Sequence, residues 1–183
     1  GAGGAVIQTQ EWRRVGGRGR IVDAHLTYPR SAVDGRVWRV AGDPLVPAPG
    51  DGPLHGLAVA VKDLFAVRGF ATGAGNPEFL SDAPVHAENA WALESLLQAG
   101  ASVRGIARTD EFAYSLAGTN IHYGTPPNPL APGRVRGGSS SGPPSAVSLG
   151  QADVGLGTGT AGFLSVPAHL SRLLGSCTTH GPV

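Results

Sequence analysis

Gly137–Phe163 reads GGSSSGPPSAVSLGQADVGLGTGTAGF. A loop dense in glycine and serine runs into a segment of small residues, and a second glycine-rich turn opens at Gly157. Glycine at this density serves either as a flexible linker or as a backbone cradle whose N–H groups face an oxyanion or phosphate. An upstream stretch bears on the choice. The apolar run Leu57-Ala58-Val59-Ala60-Val61 leads into Lys62 and Asp63, which puts a lysine at the end of a buried strand. Burial disfavours the ammonium form, so such a lysine can act as a neutral base, and a serine hydroxyl needs such a base to become a nucleophile. Strand alternation turns Asp63 to the opposite face and leaves Lys62 unneutralised. The competing reading is a strand-end lysine that snorkels to solvent.

Lys62, the loop GGSSSG and the turn at Gly157 together resemble the amidase signature family, whose catalytic unit is a Ser–Ser–Lys triad. The resemblance runs from about Gly56 to the end of the chain. It is carried by GLAVAVKDLF, ATGAGNPEFL, LLQAGASVRGIARTDEFAYSL and NIHYGTPPNPLAPGRVRGGSSSG, blocks most similar to those of plant-type indole-acetamide hydrolases and their bacterial relatives. It implies an α/β fold, a mixed β-sheet flanked by helices, and hydrolysis of a linear carboxamide without a cofactor. Lys62 matches the family's base and Ser139 its bridging serine, which the family holds in a cis peptide. The turn Thr160, Ala161, Gly162 and Phe163 matches the segment whose N–H groups stabilise the oxyanion.

The nucleophile position departs from the pattern. Family members read GTDTGGSxRxPA where this chain reads GTGTAGFLSVPA, so Phe163 stands in place of the acylated serine. Phenylalanine has no atom that forms an acyl-enzyme. Ser165 and Ser140 are the neighbouring hydroxyls that would have to substitute, yet a misplacement of about 1 Å can cost roughly 100-fold in rate. Gly159 stands for the usual aspartate and Ala161 for a glycine. Pro143 and Pro144 replace small residues, and Pro144 is expected to delay the next helix to its own position or later. The expectation is therefore an amidase relative with weak or no turnover. The alternative is a pseudoamidase that binds without catalysing.

The composition agrees with a small-molecule enzyme fold. At 183 residues the chain is long enough for one domain. Its 29 glycines and 15 prolines gather in defined turns, as in a loop-rich enzyme. A net charge of +1 leaves no footprint for nucleic acid or an anionic membrane. The single cysteine, Cys177, excludes an internal disulfide and agrees with a cytoplasmic setting. No apolar run approaches a membrane span. The chain opens at Gly1, holds no methionine, and is shorter than family members. It is thus expected to be an incomplete or truncated relative that either lacks a C-terminal part or covers its open sheet by homo-oligomerisation.

Two regions are expected: a loop-rich N-terminal segment and linker at 1–53, and the N-terminal half of an amidase-like domain at 54–183. Within the first, residues 1–20 read as a mobile basic terminus. Val37–Val40 reads as a strand, and DPLVPAPGDGP at 43–53 as an extended linker. In the second, 85–99 reads as a helix with Leu93 and Leu97 inward, Trp91 in packing, and Gly100 as its stop. A strand over 103–107 follows, completing a βαβ unit, and Thr109–Ala113 looks like a capped helix start.

Other chemistries find less support. GTGTAG is literally GxGxxG, but no acidic residue follows Asp153 and Pro167 interrupts the helix that a dinucleotide site needs. The adjacent carboxylates Asp110 and Glu111 do not face each other on a helix as a glycosidase pair must. The six histidines show no metal-ligand spacing, so no metal is expected.

Overall fold

The computed structural model of the chain describes residues 7–15, 18–27, 33–159, 162 and 164–177. Two compact units result, one ending at Asp34 and the other beginning at Gly35. In the first, β1 (Ile7–Val15) and β2 (Arg18–Thr27) pair antiparallel from Ile7↔Thr27 to Val15↔Arg18, with a register shift between Glu11 and Trp12. This corrects the expectation of a mobile terminus. Counting glycine and arginine hid the β-branched and aromatic residues of both segments, and the Gly16-Gly17 dipeptide between them is itself a hairpin signal.

The second unit is built on a four-stranded sheet in the order β3-β5-β4-β6. Its strands are β3 (Trp38–Val46), β4 (Ala58–Lys62), β5 (Ser102–Ala107) and β6 (Val154–Leu156). β5, β4 and β6 run parallel, and β3 runs antiparallel along β5. The sheet is thus mixed, as expected. The helices are α1 (Pro77–Asp82), α2 (Trp91–Gln98), α3 (Gly142–Ser148) and α4 (Ser165–Leu170).

Strand alternation divides the core into two layers. Val59, Val61, Val103 and Ile106 pack with Leu93 and Leu97 of α2. Ala60 and Ala107 pack with Ala146 of α3, and small side chains at these positions let the helix sit close to the strands. Lys62, two residues after Ala60, shares its parity, whereas Asp63 pairs with Arg39 at 3.1 Å and accepts the Gly73 N–H at 2.9 Å. The two charges of the Lys62-Asp63 step are therefore drawn apart.

Several boundaries differ from the sequence reading. β3 extends through Val46, which pairs with Val103, so the first part of the expected linker belongs to the sheet. An edge strand whose register shifts between Ala41 and Val46 has room for Pro44. The compact unit accordingly starts at Gly35, ahead of the expected boundary at 53/54. α2 begins only at Trp91, because Val85 is drawn into a bridge with Ala71 and the His86 N–H donates to the Phe70 carbonyl. Trp91 is 64% exposed and does not pack in the core. Gly100, at φ +95°, ends that helix as expected.

α3 begins at Gly142 with both prolines in its first turn, ahead of the expected start. First-turn N–H groups have no partner inside the helix, so proline sacrifices nothing there. At 109–113 only a 3₁₀ turn forms, Glu111–Ala113, and Asp110 makes no side-chain cap bond. Its carboxylate is buried instead.

Candidate active site

Parallel strands present their carboxyl ends on one side of a sheet, and there ligands of open α/β sheets bind. β4 ends in Lys62. Thr109 and Asp110 follow β5, and Thr158 follows β6. The loop 137–141, which leads into α3, completes the group through Ser139. Four segments distant in sequence thus deliver their polar residues to one buried place.

Lys62 and Ser139 are both fully buried, and the Lys62 ammonium Nζ donates to Ser139 Oγ at 2.9 Å and to Thr158 Oγ1 at 2.6 Å. Burial pulls the lysine pKa from 10.5 down to about 8, while the charge of Asp110 acts in the opposite direction. A lysine so placed exchanges its proton near neutrality, within reach of two hydroxyls. The Gly138–Ser139 peptide is cis. The Ser139 carbonyl accepts the Asp110 N–H at 3.1 Å, the Thr109 hydroxyl at 2.9 Å and the Ser141 N–H at 2.9 Å. The segment that follows β5 and the loop that carries the serine are therefore tied by main chain as well as by a side chain.

Of the expected site residues, Lys62 and Ser139 come together. Thr160, Ala161 and Phe163 lie outside the described residues. Gly162 has φ +90°, a conformation natural to glycine. Ser140 is buried and exchanges hydrogen bonds with Thr158, its Oγ donating to the Thr158 carbonyl and accepting the Thr158 N–H, both at 3.3 Å. Ser165 opens α4, exposed, with its hydroxyl 3.5 Å from the Gly162 carbonyl. Among the described residues the Lys62 ammonium bonds Ser139 and Thr158, and neither Ser140 nor Ser165. Thr158 and Asp110 are the members that sequence reasoning missed. Their signal was position: each lies two or three residues beyond the end of a parallel strand next to the one that ends in Lys62.

A second buried polar cluster braces the same loop. The Arg136 guanidinium is fully buried and donates to the carbonyls of Pro127 and Pro144 and to the hydroxyls of Ser148 and Ser171. It clamps the loop to α3 and to the residue that follows α4. A cavity of about 420 Å³ lies beside Ser140, lined mainly by apolar groups such as Pro143, Val147, Val154, Leu164 and Leu173.

This arrangement has known counterparts. A family model described as Amidase matches residues 45–183. The chain belongs to the amidase family. Among curated amidase relatives, Amidase 1 of Oryza sativa subsp. japonica is 48% identical over 132 residues, which cover 72% of this chain and 30% of the relative. Translocon at the outer membrane of chloroplasts 64, from Pisum sativum, is 40% identical over 131 residues, covering 72% of this chain and 22% of that protein. A solved, inhibitor-bound structure described with an s-triazine catabolic enzyme and a vestigial protein complex superposes with a TM-score of 0.62. It is 40% identical and covers 65% of this chain and 26% of that one. The chain thus spans less than a third of the length of these amidase relatives. The mixed sheet and its flanking helices are those of the amidase fold, and no helix among the described residues is long and apolar enough to cross a membrane.

Proposed function

We propose that this chain carries the base and relay of a linear-carboxamide hydrolase, Lys62 and Ser139, and that Phe163 in the nucleophile position leaves it with weak or no turnover. The observation that supports the reading is the 2.9 Å contact of the buried Lys62 ammonium with Ser139 Oγ. In the proposed chemistry neutral Lys62 takes the Ser139 proton, and Ser139 takes the proton of an attacking hydroxyl. The oxyanion turn is assigned to Thr160, Ala161, Gly162 and Phe163. The attacking hydroxyl is what this sequence lacks. Ser165 and Ser140 remain the substitutes, each engaged elsewhere than on Lys62.

The second reading is a pseudoamidase that binds an amide or a protein partner without turning over. It is favoured by the largely apolar cavity beside Ser140. Both readings take a small-molecule amide as the ligand class, require no cofactor or metal, and set the protein in the cytoplasm away from nucleic acid. Because one relative is named for the chloroplast outer membrane, cell fractionation is the test of that location.

The assay of function is hydrolysis of aryl and aliphatic amides, indole-acetamide included, by the purified chain, by Phe163→Ser and by Lys62→Ala. The unmodified chain is expected to stay at background, since losing the nucleophile of a cooperating triad costs on the order of 10⁶ in kcat. Phe163→Ser is expected to restore only part of the rate, because Gly159 and Ala161 remain. Turnover by the unmodified chain that vanishes in Lys62→Ala contradicts the impaired reading and assigns the attack to Ser165 or Ser140.

A further inference from the structure

The buried carboxylate of Asp110 has no part in the chemistry proposed above, yet it packs against the loop that carries Ser139. Asp110 is fully buried, and its Oδ2 accepts the Gly118 N–H at 2.9 Å. The hydroxyls of Ser141 and Ser115 also interact with it. Its own N–H donates to the Ser139 carbonyl. Gly138 presses against it so closely that a Cβ there would come within 2.2 Å of Oδ2. A carboxylate at this depth is costly: burial pushes the Asp110 pKa up, and the Ser141 hydroxyl, the Gly118 N–H, the Ser115 hydroxyl and the charge of Lys62 act against it.

We propose that Asp110 is a positioning residue for the Lys62–Ser139 pair: its carboxylate seats the 137–141 loop on the strand ends, and its negative charge stabilises the ammonium form of Lys62. The inference deepens the base-and-relay reading and uses its assignment of Lys62. A base that gains a proton during the reaction is helped by a nearby anion, because the ion pair forms as the proton arrives. Without that anion, burial alone sets the lysine, and the amine becomes too weakly basic to pull a serine proton. Ser139 links the two groups, accepting the Lys62 ammonium at its Oγ and the Asp110 N–H at its carbonyl, and the charge of each acts on the other.

The test needs no turnover. Lys62 is the only lysine in the sequence, so a lysine labelled at Cε reports this one residue by NMR. In Asp110→Asn the Lys62 titration midpoint is expected about one pH unit or more below that of the unmodified chain. Linkage is reciprocal, so Lys62→Met is expected to raise the midpoint of the Asp110 carboxyl, read at Cγ, by the same amount. A folded Asp110→Asn chain with an unchanged Lys62 midpoint overturns the proposal, and should that variant not fold, an unchanged Asp110 midpoint in Lys62→Met does so. A purely structural role would disturb the amide signals of Gly118 and Ser139 and leave the lysine midpoint in place. Amide hydrolysis is scored separately, so failure of the base-and-relay reading and failure of this one are distinguishable.

Discussion

Lys62 and Ser139, 77 residues apart in sequence, meet through a 2.9 Å hydrogen bond between Nζ and Oγ in a fully buried site. The bond depends on parallel pairing: β4 delivers the lysine at its carboxyl end, and the loop into α3 is fastened to the residues that follow β5.

Burial of Lys62 should be legible in the pH dependence of stability. The unfolded chain holds the lysine proton up to about 10.5 and the folded chain releases it near 8. Between these values the unfolded state binds more protons, so stability attributable to Lys62 rises with pH, by roughly 3 kcal/mol across the window. Below pH 8 the cost of burying the ammonium is constant. Denaturant unfolding of the unmodified chain and Lys62→Met from pH 7.5 to 10.5 is expected to show the extra slope only in the former. Parallel curves would mean that the lysine reaches solvent.

Gly138→Ala is expected to be severe. A Cβ there would meet Asp110 Oδ2 at 2.2 Å and the Gly118 nitrogen at 2.8 Å, and neither the buried carboxylate nor backbone can retreat cheaply. The loss should be about 3 kcal/mol, as for overpacking of a tight core. Gly133→Ala is the informative companion: nothing lies within 4 Å of its Cβ, but its φ of +77° is strained for alanine, so a cost of about 1 kcal/mol is expected. Equal losses from the two would remove the steric argument.

Arg136→Lys should behave as a radical substitution. One guanidinium fork serves the carbonyls of Pro127 and Pro144 and the hydroxyls of Ser148 and Ser171. A lysine has three donors on one nitrogen and cannot span them. A loss of about 3 kcal/mol is expected, together with loosening of the 137–141 loop visible in amide exchange. A loss below about 0.5 kcal/mol would show the fork to be dispensable.

The outer side of β6 carries no strand among the described residues, and Leu174, which lines a cavity with Val154 and Gly155 of β6, is 99% exposed. Unpaired strand edges next to apolar surface promote association. Sedimentation of the purified chain is expected to show species heavier than the monomer at micromolar concentration. A compact monomer that unfolds cooperatively contradicts this.

Much of this protein was legible in local sequence because the deciding signals are local. The run from Leu57 to Lys62 announces a buried strand that ends in a charge, Leu93, Leu97 and Gly100 mark the inward stripe and stop of a helix, and GGSSSG matches a known catalytic loop. Signals that depend on partners were misread. Pro44 looked like a linker until β5 supplied an edge for it to lie along, and Trp91 looked like packing until the helix turned it outward. Asp110 looked like a cap because capping is the commonest local use of an aspartate before a helix-like turn. Only the parallel order β5-β4-β6 decides that the residues after three separate strands share one buried place, since strand pairing is a long-range choice that no window of sequence contains. In that place the lysine meets Ser139 and Thr158, with Asp110 behind them. The sequence by itself determined which chemical groups this site has to work with, including the phenylalanine at position 163. The tertiary structure decided which of them touch and what burial does to the lysine, because desolvation and hydrogen bonding are properties of the packed chain.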